Sequence, residues 1–327
     1  EGPTEDELAR AKVAYRAQFI RGLESVGAQA TVLAEGQVYR GNPGAYQEDL
    51  RRAEALTSAQ VKAAAARWFG KGDYELTVLP AGKDFNPDAE DAKVAGLGPA
   101  PGRPAAIAPP AHNYRIGKSD VDRSKGVPKV TSFPDLTFPA LQRGKLKNGV
   151  EVVLAERHAI PVTLVQLLFD AGFAADQGRR PGTAAFTAAM LNESTRQFDP
   201  TEVARRKERL GAIIGSSCDL DACSVDLNAL NDQLQPSLAL LADSVRDPAF
   251  NANDIERVRG QRLAALAQAK TSPVGIALRI LPPLLYGKGN AYGIPFDGFG
   301  GEADIKSMNA GDFTSFARDW LRPDNMR

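Results

Sequence analysis

An α+β fold is predicted by three features of the 327-residue sequence. Strand-like runs are grouped at residues 141–169 and again around 211–227. Helical periodicity fills residues 4–68 and most of 183–283. A Pro- and Gly-rich stretch, residues 81–140, parts the two blocks, and the length suits about two domains at ~150 residues each. Hydrophobic content of 43% and charged content of 24% are those of a globular protein.

The first block opens with Thr4 and Glu7 in capping-box spacing, where hydroxyl and carboxylate satisfy N–H groups at a helix start. Leu8, Ala11, Tyr15, Phe19 and Leu23 follow at helical intervals, predicting a helix over 4–26. Further helices are predicted near 29–39, at Tyr46–Ala55 and at 58–68, the last capped by Thr57 with Gln60. A strand over 74–79 closes the block. The stretch 81–140 holds Pro99, Pro101, Pro104, Pro109 and Pro110 among Gly and Ala, with few large apolar residues. It reads as a linker that buries too little surface to offset its ordering entropy.

The next block opens with a hairpin: Asn148-Gly149, suited to a type I′ turn, joins 144–147 to 150–154. Strand Val162–Phe169 and helix Thr183–Leu191 follow, then a helix with Asp199 as cap and Pro200 in its first turn. Alternating residues around Cys218 and Cys223 return to sheet. Helices near 235–245 and 253–269 come next, and one after Pro273 is expected to stop at Pro282-Pro283. Residues 56–69 align without gaps to 308–321, pairing the chain's two tryptophans, Trp68 and Trp320, and read as an internal repeat.

The charges exclude some functions. Forty basic and forty acidic side chains leave no cationic excess for nucleic acid or a polybasic membrane surface. No apolar run approaches the ~18 residues of a membrane helix. His112 and His158 are too few and too far apart for a histidine-rich metal site. In one straight strand Cys218 and Cys223 would lie about 16 Å apart on opposite faces. A disulfide needs a turn at residues 219–221, so two buried free thiols are the expected reading. The chain begins at Glu1 without methionine and ends in a turn, 321–327, that points toward another strand. It reads as an internal segment of something longer.

Several further residues receive structural readings. His158 and His112 are expected as solvated loop histidines, and Glu193-Ser194 as a surface turn. Gly298-Phe299-Gly300-Gly301 lacks the Lys-Ser/Thr of a phosphate loop and is read as a turn. Asp219, Asp221 and Asp226 lack the glycine and terminal glutamate of a calcium loop.

Residues 2–12, 35–43 and 76–80 resemble the end of a lobe in the pitrilysin/insulinase family of zinc metallopeptidases. Leu146-Lys147-Asn148-Gly149-Val150 through Glu156 resembles the hairpin that begins each half of that family. Residues 169–176 and 284–293 fit as well. The resemblance covers 1–80 and 141–327. It implies metallopeptidase-like (LuxS/mitochondrial-processing-peptidase-like) lobes, each an antiparallel sheet flanked by helices. It divides the chain into the end of the first half's second lobe (1–80), an inter-half linker (81–140), the first lobe of the second half (141–286) and the start of the following lobe (287–327).

That family's zinc chemistry uses H-x-x-E-H on a helix, with two histidines as ligands, the glutamate as base and a distant glutamate as third ligand. The positions matching this pattern are Ala185, Ala188 and Ala189, with Ala265 at the distant one. Alanine offers zinc no lone pair. The resemblance therefore implies a degenerate half with no metal, no cofactor and no catalytic residue of its own, inactive by itself. Zinc is expected in a separate catalytic half. The family's assisting Arg–Tyr pair would fall past Arg327.

The resemblance further implies an edge strand at residues 211–219 that accepts an extended peptide, with Ile214, Gly215, Ser216 and Ser217 as substrate-binding residues. The partners implied are a peptide or unfolded protein and the other half of the same chain, closing as a clamshell. The alternative is a non-enzymatic scaffold or binding protein with both halves degenerate, as in core subunits of respiratory complexes. A periplasmic location is implied by analogy.

Overall fold

A computed structural model of the chain describes residues 2–70, 137–287 and 289–326, with single positions between 72 and 135. The expected strand 74–79 lies largely outside the described residues, as do His112 and nearly all of the linker. The chain falls into two compact units, Glu1–Ala66 with Pro139–Arg327, and Arg67–Phe138.

Helix α1 (Glu5–Gly22) begins at the reciprocal Thr4–Glu7 capping box. Helices α2 (Val26–Arg40), α3 (Tyr46–Ala55) and α4 (Ser58–Phe69) follow. In α4 the start is held by Thr57 and Gln60, each side chain accepting from the other's N–H. Strands β1 (Leu141–Lys145) and β2 (Glu151–Ala155) form a two-stranded antiparallel hairpin. Its turn differs from the expected type I′. Gly149 has φ +91° while Asn148 keeps negative φ, and Gly149 N–H donates to the Leu146 carbonyl at 2.9 Å. This is a type I turn over Lys147-Asn148 followed by a glycine in the left-handed region, which needs positive φ once rather than twice.

The main sheet has the order β3-β5-β4, all antiparallel: β3 (Val162–Phe169), β4 (Ile213–Cys218) and β5 (Cys223–Leu230). Helices α5 (Thr183–Leu191) and α6 (Pro200–Leu210) lie between β3 and β4 in sequence. Helices α7 (Leu234–Arg246), α8 (Ala252–Ala269), α9 (Pro273–Tyr286), α10 (Glu302–Ser307) and α11 (Ala310–Trp320) follow. Phe169, Phe186, Met190, Leu227, Leu266, Phe313 and Phe316 form the center of one core. Residues 287–327, expected to open a following lobe, contribute Ile305, Met308, Phe313 and Phe316 to this same core.

Helix α9 runs through Pro282-Pro283 to Tyr286 instead of stopping there. The carbonyl of Leu278, which Pro282 cannot reach with an N–H, accepts from Phe296 N–H at 3.1 Å. An outside donor thus replaces the bond that proline removes.

Helix α1 packs on α6 within the first unit. Arg209 pairs with Asp6 at 2.9 Å, and Arg10 bonds Glu208. Arg21 reaches the Gly211 carbonyl and, at 2.7 Å, the Asn228 side chain. Gly211 has φ +58°, and a Cβ there would stand 3.0 Å from that of Ala17. The turn from α6 into β4 therefore requires glycine for both conformation and space.

Candidate functional site

The positions of interest meet where α5 lies against β4. Helix α5 has no side-chain cap of its own. Its N-cap is Gly182, at φ +96°, with the Phe299 carbonyl where a Cβ would go. Asp176 supplies the cap from a short 3-10 turn, accepting from Gly182 N–H at 2.7 Å and Ala184 N–H at 2.8 Å. Burial pushes the Asp176 carboxyl up to about 6, against the lowering effect of those N–H groups and of Arg179. Sequence reading missed this residue, because capping signals are sought next to the helix rather than six residues upstream.

Ala185 and Ala189 share one half-buried face of α5, Ala188 is buried, and Ala265 is half-buried on α8. One turn before Ala265, the buried Arg262 extends toward α5. Its Nη1 donates to the Ala185 carbonyl at 3.4 Å and its Nη2 to the Gly298 carbonyl at 3.1 Å. The guanidinium lies 5.1 Å from the ring centers of both Phe186 and Phe299. Its Nε has no partner among the described residues. Burial lowers the Arg262 pKa to about 10, with Asp176 and Asp297 opposing the shift. Alanine methyls beside a buried guanidinium do not fit a divalent cation: they supply no donor, and the fixed positive charge repels one.

Among the described residues strand β4 is an edge, with β5 on one side only. Which backbone groups face outward follows from the hairpin. Asp219 N–H donates to the Ala222 carbonyl at 2.9 Å, making 219/222 a hydrogen-bonded pair. Bonded and non-bonded pairs alternate along an antiparallel ladder. Cys218–Cys223, Ser216–Val225 and Ile214–Leu227 are then the non-bonded pairs, and the N–H and C=O of Ile214, Ser216 and Cys218 face away from β5. Two side chains agree: Lys207 Nζ donates to the Ile214 carbonyl at 3.2 Å, and Asn192 Nδ2 to the Ser216 carbonyl at 3.5 Å. Gly215 and Ser217 direct their backbone groups to Asp226 and Ser224 instead. The Ser216 hydroxyl donates to the Ala188 carbonyl, joining the edge strand to the helix that carries the alanines. The four substrate candidates thus divide into two outward-facing and two inward-facing backbones.

Cys218 and Cys223 are disulfide-bonded, with Cα atoms 4.0 Å apart, and are not the free thiols expected from sequence. The segment is two strands, because Asp219 Oδ1 accepts from Asp221 and Ala222 N–H groups and closes the turn. A non-hydrogen-bonded pair brings Cα atoms closest, which suits a cross-strand disulfide.

Ser194 is buried rather than on a surface turn. Its hydroxyl donates to Asp254 at 2.5 Å and accepts from Asn251 at 2.7 Å, while Glu193 bonds Arg257. His158 is exposed, 3.2 Å from Glu156. Asp221 accepts from the Tyr292 hydroxyl and Asp226 from Gln166, so these acids face separate partners. Among the described residues, no helix is long and apolar enough to cross a membrane.

The sequence profile of the insulinase family (peptidase family M16) matches residues 151–290. The non-peptidase homolog YmxG of Helicobacter pylori is 25% identical over 140 residues, 42% of this chain and 32% of that protein. The solved peptidase M16 inactive domain from Pseudomonas fluorescens has a TM-score of 0.54 at 30% identity, covering 57% of this chain and 45% of the other. The periplasmic protease PqqL from Escherichia coli, with TM-score 0.52 and 16% identity over 58% of this chain and 22% of its own, shows likeness of fold. The chain spans less than half the length of each of these proteins.

Proposed function

Residues 151–290 are a domain of peptidase family M16, and on that premise we propose that this chain is the non-catalytic, substrate-holding half of a peptide-cleaving chamber. The zinc and the general base belong to a second half. This half walls the chamber and offers an extended peptide the edge of β4. The observation that carries the reading is the outward row of backbone groups at Ile214 and Ser216 on a strand bonded to α5. Main-chain pairing to such an edge binds many sequences, as a chamber for unfolded peptides requires.

Helix α9 supports a second body. Ile280, Leu281, Leu284 and Leu285 stand at least 47% exposed, an apolar face of the kind soluble proteins cover with a partner. The other half of the same protein is the partner this reading assigns. The periplasm is its assigned location, after the PqqL likeness. A scaffold with both halves degenerate is the second reading, favoured by the name of the Helicobacter relative.

One experiment divides the two. A fluorescent, extended ten-residue peptide is titrated into the chain, its Ser216→Pro variant and its Ser216→Ala variant. Proline removes one outward N–H, so affinity should fall by about fivefold, the worth of one hydrogen bond. Ser216→Ala loses only the hydroxyl bond to Ala188 and should retain more binding. Absent peptide binding, or binding untouched by Ser216→Pro, leaves the scaffold reading in possession.

A further inference from the structure

Lys207 stands at the free edge with unused binding capacity. It lies in the last turn of α6, half-buried, and folds back seven residues to the Ile214 carbonyl. An ammonium has three donors, and this bond uses one. Among the described residues no carboxylate forms an ion pair with it. Glu193, the acid whose field reaches it, is bonded to Arg257. Burial lowers the Lys207 pKa, and the Glu193 charge opposes that shift only in part.

The edge itself is asymmetric. The outward carbonyls of Ile214 and Ser216 already accept from Lys207 and Asn192. The outward N–H groups of Ile214, Ser216 and Cys218 have no acceptor among the described residues. An incoming chain therefore meets three N–H donors and a positive charge, while two of the three outward carbonyls are already engaged.

We infer that Lys207 makes the β4 edge selective for peptides that bring a carboxylate to it, seated against the N–H of Ile214 or Ser216 with the ammonium alongside. The carboxylate is either a C-terminus or an Asp or Glu side chain. This rests on the peptide-holding reading above. It differs from a plain guarding role, in which an edge lysine only repels other strands, because a guard weakens every peptide alike.

The test uses three versions of one labelled ten-residue peptide in low salt: C-terminal amide with no acid, free C-terminal acid, and amide with one internal Glu. At least one acidic version should bind about fivefold tighter than the neutral one, as for a partly desolvated ion pair. The tighter arm identifies the source of the carboxylate. Lys207→Met should abolish that preference while leaving the neutral peptide bound at least as well, since the Ile214 carbonyl is released. Lys207→Arg should keep the preference. Equal binding of all three peptides by the unaltered chain overturns the inference while the peptide-holding reading stands. So does Lys207→Met tightening all three alike, which is the behaviour of a guard. Failure of every peptide to bind overturns both.

Discussion

Helix α4 and helix α11 share a reciprocal cap and a C-terminal Trp, yet α11 buries Phe313 and Phe316 completely while α4 buries no side chain. Trp68 is 70% exposed on α4; Trp320 packs against the core on α11. The caps are equivalent: Thr57 with Gln60, and Asn309 with Asp312. The partners are not. On α11, Phe313 meets the Phe186 ring of α5 at 4.6 Å and Phe250 at 5.9 Å. Arg179 holds Asp319 at 2.5 Å, and Arg180 bonds Asp312. An amphipathic pattern prepares a face for burial; only a second surface removes it from water.

The largest test of that contrast is truncation. Phe316→Ala should cost about 3–5 kcal/mol, the range for emptying a fully buried aromatic site. Trp68→Ala should stay within about 0.5 kcal/mol, as for exposed positions. Urea denaturation of both variants measures the difference, and equal losses would break the comparison.

A second test acts on α5, the helix that gives α11 its partner. Asp176 has a folded pKa of about 6, above the ordinary 3.8. A raised carboxyl favours the protonated folded state. Its contribution is therefore fully present below pH 3.8 and is lost as pH rises through about 6. The full span is worth up to roughly 3 kcal/mol. Relative to Asp176→Asn, the unaltered chain should gain stability as pH falls from 7 to 5, followed by urea midpoints. A constant offset between the two would remove Asp176 as the source.

The smallest effects belong to the caps. Asn309→Ala should lower global stability by about 1 kcal/mol. Thr57→Ala should instead speed amide hydrogen exchange within α4 and leave the global midpoint in place, because α4 shares little of the core. A global loss from Thr57→Ala would show that α4 is as deeply integrated as α11.

What was legible in advance was mostly local. The Thr4–Glu7 box, the Thr57–Gln60 pair and the Asp199-Pro200 start all formed as read. The α+β class and the M16 likeness also stand. Asn148-Gly149 forms a different turn from the expected type I′, with positive φ at Gly149 alone, and Pro282-Pro283 does not end its helix, because Phe296 supplies the missing donor. Ser194 looked like a surface residue until Asp254, 60 positions later, came to lie beside it.

The sequence by itself determined the capped helix starts, because a cap closes within three residues, and that positions 185, 188, 189 and 265 carry methyl groups with no metal-binding atom in any fold. Tertiary structure alone decided that Cys218 meets Cys223, that Asp176 caps α5, that Arg262 reaches Ala185, and that Lys207 reaches the outward carbonyl of Ile214. Each of these depends on where a turn brings a distant segment. A hydrogen bond or disulfide a few ångströms long exists only after the chain has fixed that path.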